Sequence, residues 1–155
     1  MTDLSDLIAP EAVVVDLAPG NKKALFQQLA AAAVGPLGVE PKLLLDRLIA
    51  REKLGSTGFG GGIAIPHARI ESAPRVQGLF ARLSGGVDFQ AVDGLPVDLV
   101  FLLVSPVDAG GDHLKALARA SRRLRDIAFA DKLRGAGSRD AIYALLTGVE
   151  ARDAA

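Results

Sequence analysis

An α/β fold, a single domain whose sheet is sandwiched between helices, follows from three observations. Segments of helical period lie toward both ends of the chain, and short β-like runs lie between them. One of those runs, Pro96 to Val104, is apolar almost throughout, as a strand covered on both faces is. The 155 residues share one continuous composition, 50% of it hydrophobic, and their number is close to the usual size of one domain.

The elements follow in order. Asn21 to Val34 is rich in Ala and Leu, carries Leu25, Phe26, Leu29 and Ala33 at helical spacing, and is expected to stop at Gly35-Pro36. Pro41 to Lys53 repeats the pattern, with Pro41 in the first turn, Leu44, Leu45, Leu48 and Ile49 on one face, and Gly55 where a C-terminal cap belongs. Arg47 and Arg51, four apart, share another face. Ile63 to Ile65, Val76 to Leu83 and, after an Asp93-Gly94 turn, Pro96 to Val104 read as strands. Asp112 is expected to cap a helix to about Arg125, a shorter helical segment follows through Leu133, and Ser138 caps a last helix to Leu146. Residues 1–3 and about 149–155 are candidates for disorder, and there is no internal repeat.

Composition limits the chemistry. Eighteen Lys and Arg balance eighteen Asp and Glu, so no global charge draws the chain to nucleic acid or to an anionic membrane. Residues 115–139 do hold eight Lys/Arg against two Asp, but without interleaved aromatic residues this reads as a solvated helix face. There is no Cys, which removes thiol catalysis, disulfides and Cys-ligated metals, and only two histidines, His67 and His113. The N-terminal stretch MTDLSDLIAPEAVV does not have the form of a signal peptide. The densest apolar run falls well short of the roughly 20 residues that span a bilayer. These features predict a cytoplasmic protein with no membrane insertion.

Five of the seventeen glycines fall in Gly55 to Gly62. With Ser56 and Thr57 they put many N–H and O–H donors in a small volume, as phosphate nests do. Composition alone does not separate such a nest from a flexible connection. Neither GxxxxGK[ST] nor GxGxxG is present. His67 follows directly, after Ile63-Ala64-Ile65-Pro66. Pro66 is disfavoured inside a central strand, so the strand is expected to end there and His67 to sit at its exit. An uninterrupted strand would instead place His67 on the same face as Ile63 and Ile65. His113 lies in the first turn of the predicted helix after Gly110-Gly111, where a positive dipole end attracts anions and favours a neutral imidazole. Read alone, it is better taken as a solvated polar residue.

Other chemistries fit less well. GxSxG is absent, and no HExxH or similar ligand spacing marks a metal site. A histidine attacking phosphorus directly suits the inventory, because an imidazole with a pKa of about 6.5 is substantially neutral near pH 7.

The segment REKLGSTGFGGGIAIPHARI resembles the active-site segment of the EIIA proteins of the fructose/mannitol class of the bacterial phosphoenolpyruvate-dependent phosphotransferase system. Similarity continues through VDGLPVDLVFLLVSPVDAGGDHLKALA, from about residue 20 to 146, and within the class it is closest in wording to the nitrogen-regulatory branch, EIIA-Ntr. The resemblance implies one EIIA type-2 domain over 1–155, its core at about 4–147, with a mixed β-sheet flanked by helices on both faces. It implies that His67 is phosphorylated at a ring nitrogen, that His113 is the second active-site histidine, that Arg51 is the active-site arginine, and that Ser56, Thr57 and Gly58 line the phosphoryl site. Gly61 departs from the Asn that relatives often carry, which removes a side-chain hydrogen bond there. No metal or cofactor is implied. The implied donor is an HPr-like phosphocarrier. The implied output is regulation of a target such as a sensor kinase, a potassium transporter or a stress-nucleotide synthetase, or else transfer to the EIIB of a sugar permease.

Overall fold

The computed structural model describes residues 4–148, so the termini expected to be disordered lie outside the described residues. A short 3-10 turn, Pro10–Ala12, leads into β1 (Val13–Leu17), a strand that periodicity did not reveal. α1 (Lys22–Leu37) begins where the Asn21 side chain accepts a hydrogen bond from Ala24 N at 2.8 Å. It does not stop at Gly35-Pro36 but runs through them. A proline in the last turn forgoes only its own donor, and the left-handed Gly38 closes the helix with its N–H on the Val34 carbonyl. α2 (Pro41–Lys53) has the predicted Pro41 start, with Glu40 accepting from Lys42 N and Leu43 N and with Leu44 and Leu48 buried.

β2 (Gly58–Gly60) and β3 (Ile63–Ala64) form an antiparallel hairpin inside the glycine-rich segment. Its two-residue turn, Gly61-Gly62, has φ of 68° and 81°, which a side chain rarely tolerates at both central positions. The glycine cluster is thus largely a turn, a possibility that composition alone did not single out.

β4 (His67–Arg69), β5 (Gln77–Val87) and β6 (Val97–Ser105) complete one six-stranded sheet. Its order is β1-β5-β6-β3-β2, with β4 also on β6. β1 is parallel to β5, β5 antiparallel to β6, and both β3 and β4 parallel to β6, so the sheet is mixed. Ile63 pairs with Leu99 and His67 with Leu103, four residues further along both strands. The expected strand end at Pro66 is therefore a break within one line of pairing, which resumes in the same register at His67. Pro66 lacks an N–H, but its carbonyl still accepts from Leu103 N.

Every residue of β6 from Leu99 to Ser105 is 0% exposed, including neighbours that point to opposite faces. Both faces of the central strand are covered, as its apolar sequence predicted. α1 packs on β5, α2 on β4 and α3 on β6. α3 (Gly111–Arg125) starts at Gly110, whose positive φ of 61° with ψ of −132° suits only glycine, and has no side-chain cap. Asp112 lies two residues beyond the cap position, inside the first turn, and so does not cap it, although its charge still complements the helix dipole. α4 (Ile127–Gly135) is capped by Asp126 and α5 (Arg139–Thr147) by Ser138, as expected of the latter.

Of the eight cations in 115–139, five have structural partners rather than only solvent. Arg119 pairs with Asp6, Arg134 with Asp98 and Asp131, Arg139 donates to the Val13 carbonyl, and Arg123 and Arg125 lie over Phe129 and Phe59. No helix among the described residues is long and apolar enough to cross a membrane.

Candidate active site

Three elements converge on His67. β4 supplies the histidine itself, the last full turn of α2 supplies Arg51, and the first turn of α3 supplies His113. α2 is docked by Arg47, one turn before Arg51: its Nη1 donates to the Arg69 carbonyl at 2.8 Å and its Nη2 pairs with Glu71. The two arginines on one helix face thus divide the work. One fastens the helix to β4, and the other reaches the imidazole.

The hydrogen bonds of His67 fix its tautomer. Nδ1 lies 2.8 Å from the Ile65 carbonyl oxygen, which can only accept, so Nδ1 carries the proton. Nε2 lies 3.2 Å from Arg51 Nε, which can only donate, so Nε2 presents its lone pair. Both partners require the same neutral ring. Burial, the largest effect, pushes the His67 pKa below its usual value. The Ile65 hydrogen bond opposes this, the Arg51 charge adds to it, and Glu52 opposes it. Although β4 continues the register of Ile63 and Ile65, each 3% exposed, His67 is only half-buried. The nucleophilic nitrogen is held without being sealed in.

His113 is 4% exposed, and its ring centroid lies 5.7 Å from that of His67 at an interplanar angle of 53°. Its Nδ1 is 2.6 Å from Ser105 Oγ at the end of β6. Burial first, then the charge of Arg69 and, to the extent that it is protonated, the neighbouring His67 ring, push its pKa down to about 4. His113 is therefore uncharged at neutral pH, and the His67 shift runs in the same direction. Arg51 completes the group: its Nη1 is anchored on the Gly55 carbonyl at 2.9 Å, and its Nη2 has no partner among the described residues.

The predicted loop residues stand differently. Thr57 gives both its N–H and its hydroxyl to Glu52, the hydroxyl at 2.6 Å. Ser56 Oγ donates to the Phe89 carbonyl and accepts from Gly58 N. Gly58 is packed so closely that an added Cβ would meet Phe89 at 2.9 Å. The hydroxyls of Ser56 and Thr57 and the amide of Gly58 are engaged in building the loop, so none is left free to grip a phosphoryl oxygen in this arrangement. The loop reaches His67 indirectly. The Thr57 carbonyl accepts from Ile65 N at 3.0 Å, and the Ile65 carbonyl in turn orients His67.

Glu52 was not foreseen. Its side chain is 7% exposed, pairs with Lys22 at 2.6 Å, holds Thr57 and offsets the Arg51 charge at His67. Its position beside Arg51 was visible, but nothing in the spacing signalled a buried carboxylate. Ser105 and the Ile65 carbonyl were also missed. A cavity of about 440 Å³ lined by Lys22, Lys23, Phe26 and Lys53 meets this group only at Glu52.

The mixed sheet thus brings a tautomer-locked histidine together with a guanidinium and a second histidine, with one imidazole lone pair facing the guanidinium. Residues 6–149 match the family described as "Phosphoenolpyruvate-dependent sugar phosphotransferase system, EIIA 2", and the chain belongs to that family. It is 48% identical over 143 residues to the nitrogen regulatory protein of Bradyrhizobium diazoefficiens, covering 92% of this chain and 94% of the relative. It is 33% identical over 150 residues to the fructose-specific EIIA component of Haloferax volcanii, covering 96% and 97%. The crystal structure of nitrogen regulatory protein IIA-Ntr from Neisseria meningitidis superposes with a TM-score of 0.86 at 34% identity, over 92% of this chain and 97% of that one.

Proposed function

We propose that this protein is a cytoplasmic phosphoryl carrier whose His67 Nε2 accepts a phosphoryl group from a phosphohistidine on an HPr-like carrier, and whose output is mainly regulatory. The single observation that carries the reading is the pair of one-way contacts on His67, which leaves Nε2 as a lone-pair nitrogen beside a guanidinium. The Nε2 lone pair forms the new N–P bond while the donor's N–P bond breaks, its electrons returning to the donor imidazole. Nδ1 keeps its proton throughout, and the Ile65 carbonyl stabilises the positive charge that the phosphorylated ring then carries.

Arg51 would move from Nε2 to the transferring oxygens, where a guanidinium binds equatorial charge well. His113 would donate to those oxygens without bringing a charge of its own. Ser56, Thr57 and Gly58 would serve the phosphoryl site by shaping the loop that sets Ile65. Exchange of an N–P bond between imidazoles is nearly balanced, so the protein contributes position and charge stabilisation rather than driving force.

A regulatory output is supported by the relatives named as nitrogen regulatory proteins. The phosphoryl group puts up to about two negative charges on the surface around His67, only partly offset by the positive charge of the ring beneath it, on a chain with a formal charge of zero. A target such as a sensor kinase, potassium transporter or stress-nucleotide synthetase would read that change. The second reading, onward transfer to the EIIB of a fructose- or mannitol-type permease, is favoured by the fructose-specific relative. Incubation with phosphoenolpyruvate, enzyme I and the carrier should give an acid-labile mass increase that His67→Ala abolishes. Discharge to added EIIB domains would support the transport reading, and retention would support the regulatory one.

A further inference from the structure

We infer that Ser105 is a positioning residue for His113, its hydroxyl holding that imidazole in the tautomer with the proton on Nε2. The inference deepens the proposed function, since it gives His113 the donor role which that reading needs. Ser105 is 0% exposed and ends β6, opposite Arg69 of β4, with its carbonyl taken by Ile70 N. Its hydroxyl has one partner, His113 Nδ1, at 2.6 Å.

A hydroxyl both donates and accepts, so this contact does not settle the proton's place as the carbonyl and guanidinium do for His67. Burial settles it. If Nδ1 carried the proton and donated to Oγ, the Ser105 hydroxyl hydrogen would be enclosed with no acceptor in reach among the described residues. Buried donors are almost always paired. With Oγ–H donating to Nδ1, the hydroxyl is satisfied and the ring proton moves to Nε2. That nitrogen has no partner among the described residues, yet it is not among the buried polar atoms left without one, so it remains open to an incoming group.

The two histidines then hold opposite tautomers. His67 has its proton on Nδ1 and offers a lone pair from Nε2; His113 accepts at Nδ1 and offers a proton from Nε2. Opposite tautomers give one attacking nitrogen and one donor for the transferred oxygens. The same tautomer on both would set a lone pair of His113 against negatively charged oxygen. Burial first, and then the charge of Arg69, whose guanidinium donates to the Gly110 carbonyl at 3.3 Å, keep the His113 ring neutral, so that it serves as a donor without a net charge.

The test is a two-bond 1H–15N NMR spectrum of histidine-labelled protein at neutral pH, which separates protonated from lone-pair ring nitrogens. His113 should show a protonated Nε2 and a lone-pair Nδ1. The opposite pattern overturns the inference. Ser105→Ala should give a mixture of tautomers and slow phosphoryl acceptance by His67 about tenfold, and Ser105→Thr, which keeps the hydroxyl, should restore both. An unchanged tautomer and rate in Ser105→Ala would also overturn it. If the wild-type chain accepts no phosphoryl group at all, the carrier reading falls, and the NMR spectrum still decides the tautomer.

Discussion

Glu52→Gln is the substitution that best separates the support of the site from its chemistry. The Glu52 carboxylate is nearly buried and accepts from Lys22 Nζ, from Thr57 N at 3.1 Å to each oxygen, and from Thr57 Oγ1. The amide keeps one acceptor oxygen and turns the other into a donor, which faces either the Lys22 ammonium or the Thr57 amide. Each hydrogen bond to a charged group contributes about 1.5–3 kcal/mol, and removing one member of a buried ion pair strands the other. Lys22 is only partly rescued by the Phe89 ring 4.5 Å below its ammonium. The substitution should cost about 3 kcal/mol. With a urea slope of about 2 kcal/mol per M, the midpoint falls by about 1.5 M. Lys22→Met combined with Glu52→Gln should cost at least 1 kcal/mol less than the sum of the two single variants, the mark of direct coupling. Because Glu52 opposes the drop in the His67 pKa, the variant should also titrate His67 at lower pH in NMR. A midpoint within about 0.2 M of wild type, with strictly additive variants, would refute the assignment of Glu52 as the post that holds the loop.

Other substitutions probe separate parts of the account. Arg51→Gln should leave the fold intact and slow phosphoryl acceptance by about a hundredfold or more, since it removes the cation facing the transferred oxygens; a rapid-quench assay showing less than a threefold change would contradict that role. Gly62→Ala should destabilise by about 2 kcal/mol or more, because φ is 81° and the new Cβ would meet Arg134 at 2.6 Å and Asp98 at 2.8 Å, whereas Gly94→Ala, with φ of 74° in open space, should cost about 1 kcal/mol. Equal costs in thermal unfolding would show that the turn, not the Arg134–Asp98 pair, sets the penalty. Stability should also fall with acid. His113 titrates at about 4 folded and about 6.5 unfolded, so between those values the unfolded chain binds the extra proton. The stabilisation is complete above about pH 6.5 and gone below about pH 4, amounting to about 3 kcal/mol. His113→Gln should flatten that part of the pH profile relative to wild type.

Legibility from sequence was uneven, for physical reasons. Pro96 to Val104 declared its position because burial on both faces leaves a nearly unbroken apolar run. β1 is a five-residue edge strand paired only with β5, and His67–Arg69 is too short for any period, so neither could be read. The helix through Pro36 outlasted a breaker because the proline falls where a missing donor matters least. The glycine cluster was recognised as an anomaly, but a hairpin turn and an anion nest demand the same residue, and only the positive φ pair at Gly61-Gly62 tells them apart. The imidazoles stood out because only two exist. Arg51 rested on resemblance, and its contact with His67 came from the packing of α2 on β4. The residues that were missed act through burial and adjacency: Glu52 as an enclosed carboxylate, Ile65 through its backbone carbonyl, and Ser105 from the end of a strand eight residues before the ring it touches.

His67 Nε2 is the atom proposed to take the phosphoryl group. Phosphorylating 15N-histidine-labelled protein with phosphoenolpyruvate, enzyme I and an HPr-like carrier, and then reading the 15N–31P coupling, addresses it directly. One N–P bond is expected, at His67 Nε2, with Nδ1 still protonated against the Ile65 carbonyl. A bond at His67 Nδ1, a bond at His113, or no N–P bond would contradict it.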